Sequence, residues 1–392
     1  MVIARGGPAR GAALAGAAVA QAASLVAFRA YQQFSPDGYF PLAFSFYAFV
    51  AIGYLTDLYF GRAELCGALE YATGLSFFPA LVSGPIMRLA GTVDKLRRPV
   101  PLDWRRASYA LVLVSNGLFK VGVAKFAEYV VSSHRNVSWQ APTRFAWIDA
   151  VSVTARIYAD FSGYSDIAIG VGYLVGVEVP PNFRLPFLSG SMMEYWRRWH
   201  ISLTHWIETY VFQPLVFGNS FSFLERVPRV GRALLAHRQY FAILFALMVC
   251  GLWHGFRMHF FLWGLYLGVL LCLNALFADT LERWPRALRV PLCFFLLVNA
   301  FALFDQENMS SYLSSLRVAY AFFPWRLTSF GVSYAVAAAV VLVVPHGVDS
   351  LLLRSDYLRG RFVAAFAVSL AFLSLHFVLV GFTGEPFVYF RF

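Results

Sequence analysis

The chain has 392 residues, of which 59% are hydrophobic and only 14% charged, and its mean hydropathy is +0.61. That composition excludes a soluble globular domain. The formal net charge of +11 does not indicate nucleic acid, because the Lys and Arg residues sit in short loops between apolar runs, the distribution that orients a membrane protein.

Apolar runs long enough to cross a bilayer, roughly 20 residues each, recur along the chain. They predict an all-α polytopic integral membrane protein forming one domain over residues 1–392. Taking basic loops as cytoplasmic places the N-terminus inside. The start, with Arg5 and Arg10 before an Ala-rich run, reads as an uncleaved first helix from Gly11 to Ala30 rather than a signal peptide, because the apolar run continues through Phe28. A second helix, Pro41 to Phe60, returns inward. The run Tyr71 to Leu89 would put the basic loop Lys95, Arg97, Arg98, Arg105 and Arg106 outside if it crossed. Pro79, Gly84 and Pro85 interrupt it, so a re-entrant or in-plane segment buried against protein is expected.

Helices near Ser108 to Val131 and Phe145 to Val177 cross out and back. Pro180 to Arg238 is long, aromatic and basic at its end, and is expected on the cytoplasmic side with a helix in or on the membrane. Tyr240 to Ala278 is too long for one span and is broken by polar residues near His254, which predicts a tight pair of helices. Crossings at Val290 to Phe304, Phe330 to Val344 and Phe362 to Phe382 complete a total of about nine. Cys66, Cys250, Cys272 and Cys293 lie in apolar context without paired spacing and read as packing residues.

Ionisable residues inside apolar runs are costly, and each is a functional candidate. His254, in Gly251-Leu252-Trp253-His254-Gly255, is the sharpest. It can be a hydrogen bond between helices or, shielded from water, a general base. The second candidate is Glu194 through Trp206. If helical, Trp196, Trp199, Leu203 and Trp206 form one stripe at spacings of 3, 4 and 3. This is either an interfacial belt with Arg on lipid phosphates or a site where Arg197 and Arg198 hold the phosphates of a nucleotide-like donor with His200 facing a cavity. Neither His200 with His205 nor His254 with His259 has the i, i+4 spacing of a helical metal pair, and no HExxH motif occurs, so no metal site is expected. The glycines between Gly170 and Gly176 read as helix-packing positions. Asp160 and Asp166 are six residues apart and fall on different helix faces.

At these residues the chain resembles the membrane-bound O-acyltransferase family, particularly its bacterial alginate O-acetyltransferase branch. The matching pieces are Ser45-Phe46-Tyr47 through Asp57, Phe78 through Pro85, Tyr158 through Gly170, Asn182-Phe183-Arg184-Leu185-Pro186-Phe187 running into Trp196 through Leu203, Trp253-His254-Gly255 with Leu262-Trp263-Gly264, and the ending Pro386 through Phe392. The resemblance implies re-entrant or in-plane helices with the crossings around a central tunnel, entered by acyl donor from the cytoplasmic side and acceptor from the other. It implies that His254 is the family's near-invariant histidine and His200 its second motif histidine, with Arg197, Arg198, Trp199, Trp196, Asp160 and Trp253 beside the substrates. It also implies that a tyrosine in the tail, Tyr389, relays the acyl group to an outer partner; as a bare residue Tyr389 reads as an interfacial anchor.

Three departures stand out: the chain begins after about the first two or three family helices; an Arg-Asp pair usual after Trp206 is replaced; and Asp305 stands where a basic residue is common. The expected activity is transfer of acetyl or another short acyl group to a hydroxyl of an exported polysaccharide or cell-wall glycan. No bound cofactor is expected, with acetyl-CoA or another acyl thioester as donor substrate. The expected surroundings are the bacterial cytoplasmic (inner) membrane, with an extracytoplasmic acetyltransferase or esterase-like partner protein. The competing readings are an acyltransferase acting on lipid or protein, and a transporter or flippase, against which no inverted repeat is evident.

Overall fold

A computed structural model describes residues 8–35, 43–137, 146–218, 237–306, 310, 312–313 and 362–381. Among the described residues all regular structure is helical. The longer helices are α1 (Pro8–Phe34), α2 (Phe44–Tyr59), α5 (Trp104–Val137), α6 (Ala146–Leu174), α10 (Arg238–His254), α11 (Met258–Leu276), α13 (Arg286–Phe304) and α14 (Phe362–Gly381). The short ones are α3 (Ala68–Leu75), α4 (Leu89–Arg97), α7 (Met192–Trp196), α8 (Ile201–Ile207), α9 (Gln213–Phe217) and α12 (Ala278–Glu282).

Among the described residues, four helical stretches are long and apolar enough to cross a membrane: Gly11–Tyr31, Trp104–Tyr129, Met258–Leu276 and Arg286–Phe304. The count of about nine crossings rests partly on Phe330 to Val344, which lies outside the described residues. Helix α6 has the length but carries Asp149, Arg156, Asp160 and Asp166. The Tyr71 to Leu89 run is broken as its prolines predict. It contains the end of α3, one tight helical turn at Phe78–Ala80 and an irregular stretch before α4, none of it long enough to span. The run Tyr240 to Ala278 is a helix pair, α10 and α11, joined by three residues.

Helices α5 and α6 pack along each other, with α14 against α5. Their contact buries charge in pairs. Lys120 Nζ donates to Asp166 Oδ2 at 2.7 Å, and Asn116 Nδ2 donates to the same oxygen at 2.7 Å. Arg156 donates to Glu128 Oε2 at 2.6 Å and to Asp305 at the end of α13. Buried charges persist only when matched in this way. Asp166 and Asp160 do serve different partners, since Asp160 lies in the field of Arg156 and Lys125. Cys250, Cys272 and Cys293 are buried and Cys66 half-buried, all four as free thiols.

Glycine sets the approach of α10 to α11. A Cβ at Gly251 would fall on the Phe260 carbonyl oxygen, and one at Gly264 on that of Leu247. Gly251→Ala should therefore push the hairpin apart. Overpacking of this kind costs about 1–3 kcal/mol, to be read as a lowered thermal unfolding midpoint in detergent; an unchanged midpoint would contradict the tight crossing.

Candidate active site

The central core gathers around residues 180–217. It joins Phe49 of α2, Tyr158 of α6, Leu247 of α10, Trp263 of α11 and Leu297 of α13. Local sequence starts the segment: Ser191 caps α7, its hydroxyl accepting from the Glu194 N–H at 3.1 Å. The helix then stops. Arg197 to His200 turn the chain, and His200 takes φ 43° and ψ 54° before α8 begins. The left-handed region is uncommon for a residue with a side chain and is held here by surrounding bonds. The Ile201 N–H donates to the Asn182 carbonyl at 2.9 Å and the Arg184 N–H to the Arg198 carbonyl at 3.0 Å. The tryptophan stripe is thus split between two helices, yet Trp196, Trp199 and Trp206 all pack against the core. Trp199 lies between Phe183 and Phe301, each 5.0 Å away between ring centroids.

His200 is 5% exposed. Its Nδ1 lies 3.2 Å from Asn182 Oδ1, and its ring meets Phe161 edge-on at 4.6 Å. His254 ends α10 inside a box of rings. Trp253 is 4.4 Å away, Phe304 4.9 Å, Trp263 5.4 Å and Phe260 6.1 Å between centroids. Neither ring nitrogen of His254 has a hydrogen-bond partner among the described residues. The indole nitrogens of Trp253 and Trp263 are likewise buried and unpartnered there. Phe49 links the regions, touching Trp253 at 5.1 Å and Trp206 at 4.6 Å while its carbonyl accepts from Trp206 Nε1 at 2.9 Å. His254 lies within electrostatic range of Arg29 of α1 and of His200.

The remaining sequence candidates separate. Arg198 is held by Glu194 at 2.6 Å, in a group that includes Arg286. Arg197 is exposed. Asp160 is buried with the α5–α6 charges. Tyr389 lies outside the described residues.

Sequence reasoning gave no role to a cleft of about 330 Å³, open mouth included, whose lining includes Asp57, Arg88, Ser202, His205, Trp206 and Tyr210. Asp57 is buried. Its Oδ2 accepts from the Tyr210 hydroxyl at 2.8 Å and faces Arg88 Nε at 3.8 Å, while Oδ1 has no partner among the described residues. Tyr210 reaches it from a π-helical turn, Glu208–Phe212, set between α8 and α9. The Asp57–Tyr210 contact joins residues 153 positions apart, so no local spacing announces it. Phe49 and Ser202 form part of the wall; Phe49 packs on Trp253 next to His254, and Ser202 bonds Asn182 beside His200.

A buried imidazole at His200, a half-buried one at His254, unpartnered indoles and a polar cleft among apolar helices define a helical membrane protein with a built internal site. The chain belongs to the membrane-bound O-acyltransferase family, whose model matches residues 29–314. It is 30% identical over 314 residues to the probable alginate O-acetylase AlgI of Azotobacter vinelandii, covering 78% of this chain and 60% of that protein. It is 28% identical to the peptidoglycan O-acetyltransferase of Helicobacter pylori, covering 71% and 56%. To the teichoic acid D-alanyltransferase of Bacillus subtilis it is 31% identical, covering 54% and 51%. The chain spans about three-fifths of the length of the alginate O-acetylases it matches.

Proposed function

We propose that the chain is an O-acyltransferase of the bacterial cytoplasmic membrane, moving an acetyl or other short acyl group from a cytoplasmic thioester such as acetyl-CoA to a hydroxyl of an exported polysaccharide or cell-wall glycan. The observation that carries this reading is the His254 ring, boxed by aromatics and without a hydrogen-bond partner among the described residues. A neutral imidazole so placed can take the proton of an acceptor hydroxyl as its oxygen attacks the thioester carbonyl. The new C–O bond forms, the C–S bond breaks, and the leaving thiolate recovers the proton from the imidazole. The aromatic walls keep out water that would hydrolyse the donor.

Donor access fits the Asp57–Arg88–Tyr210 cleft better than the Arg197–Arg198 pair. Arg198 is held by Glu194 at 2.6 Å, whereas Arg88, 3.8 Å from Asp57, has a half-exposed side chain at a cleft that includes Ser202 and Phe49. Arg88→Ala should raise KM for the thioester several-fold with a smaller change in kcat. An unchanged KM would return the donor to Arg197. Tyr389 keeps its place in this proposal as an acyl relay to an outer partner protein. The deciding experiment pairs purified protein in proteoliposomes with labelled acetyl-CoA and compares ester content of glycan from deletion and parent cells. Ester loss on deletion with thioester consumption in vitro is expected. Unchanged glycan esters, or label crossing the bilayer chemically intact, would overturn the reading in favour of a lipid or protein acceptor or a transporter.

A further inference from the structure

Asn182 is 1% exposed, and every polar atom of its side chain is used. Its Oδ1 faces three groups: the Ser202 N–H at 3.1 Å, the Ser202 hydroxyl at 2.9 Å and His200 Nδ1 at 3.2 Å. Its Nδ2 donates to Ser165 Oγ at 3.3 Å. Oxygen and nitrogen of an amide are settled by their partners. A backbone N–H can only donate, so the amide atom facing Ser202 is the oxygen. The Ser202 hydroxyl agrees, because its own oxygen already accepts from the Ile86 N–H at 2.9 Å and its proton is free to go to Asn182. An amide oxygen can only accept. His200 Nδ1 therefore carries a hydrogen, since a bare Nδ1 would set lone pair against lone pair in a buried site.

We infer that Asn182 is a positioning residue that locks neutral His200 in the Nδ1–H tautomer, leaving Nε2 as the nitrogen that presents a lone pair to the reacting groups. The relation between two ring nitrogens is general: the bond made by one decides the chemistry of the other. The backbone gives a second reason for Asn at this position. The Asn182 carbonyl takes the Ile201 N–H, holding His200 in its left-handed conformation while the side chain sets its proton. Through Ser202 and Ile86 the same network reaches the broken segment before α4, and through Ser165 it reaches α6. One residue thereby registers three segments on the imidazole. The inference rests on the acyl-transfer reading only for the use made of Nε2; the tautomer itself is measurable without turnover.

The test uses full-length protein with ¹⁵N-labelled histidine in proteoliposomes. The chain has eight histidines, so the His200 signals are assigned by their loss in His200→Gln. The expected pattern is protonated Nδ1 and unprotonated Nε2. Asn182→Leu, which cannot accept, should mix or reverse that pattern and lower kcat at least about tenfold with donor KM little changed. Asn182→Asp keeps an acceptor oxygen and should keep the pattern. Its added negative charge beside Nδ1 favours imidazolium, so in the pH profile of the ¹⁵N signals His200 Nε2 should take up its proton at higher pH than in the parent, a shift that a purely structural role would not produce. A parent pattern with the proton on Nε2, an unaltered pattern in Asn182→Leu, or full activity of Asn182→Leu would overturn the inference. Should Asn182→Leu fail to fold, the parent spectrum and the Asn182→Asp profile still decide it. Absence of acyl transfer to any glycan would count against the proposed function and leave the spectrum unaffected.

Discussion

His254→Ala and His254→Gln should each lose acyl transfer by about a hundredfold or more, the usual cost of removing a general base, while inserting and purifying like the parent. Two features separate loss of chemistry from loss of fold. The imidazole makes no hydrogen bond among the described residues that its removal would break, and its neighbours Trp253, Phe260, Trp263 and Phe304 also contact one another or the core. Gln keeps much of the volume and polarity but cannot accept a proton near neutral pH. If the two variants fail together at normal thermal stability, the missing function is proton transfer. If Gln retains more than a few percent of activity, His254 only orients the acceptor, and the base must be sought at His200.

Arg156→Met should be strongly destabilising at the contact of α5 and α6 with the end of α13. The guanidinium is the shared partner of Glu128 and Asp305, and its side chain is 10% exposed. Removing it takes from Glu128 and Asp305 the cation they share in a poorly solvated contact, and breaking buried pairs of this kind costs about 3–5 kcal/mol. Partial exposure of Glu128 places the expectation at the lower end. The measurement is thermal unfolding in detergent. Adding Asp305→Asn and Glu128→Gln to Arg156→Met should recover much of the loss, because the penalty comes from unmatched charge rather than lost volume. A triple variant as unstable as the single one would refute the electrostatic account.

Helices were legible where length or punctuation decides them. The stretch from Tyr240 to Ala278 had to fold back because it exceeds one span, and the polar residues at His254 marked where. Pro79, Gly84 and Pro85 marked the segment that does not cross. The break at Arg197–His200 was not legible. The tryptophan spacing there fits one helix, and what stops it is the left-handed His200 held by Asn182, a contact made only after folding. The Asp57–Tyr210 pair was hidden for the same reason. His254 and His200 were visible as costly residues in apolar surroundings, but that one stands without a hydrogen bond among the described residues and the other is tied to an amide oxygen belongs to tertiary structure alone.

The π-helical turn at Glu208–Phe212 bears on how this protein tolerates changes in length. Such a turn is an α-helical turn with one residue added. Deleting one residue within it would pull the following helix back by one position, although Pro214, which has no N–H to donate, could not complete ordinary helical pairing there. Tyr210 would then swing from Asp57, leaving that carboxylate without its hydroxyl. The deletion would thus cost the cleft wall its contact and force a proline into a regular helical turn, so the extra residue both sets the register of Tyr210 and makes room for Pro214.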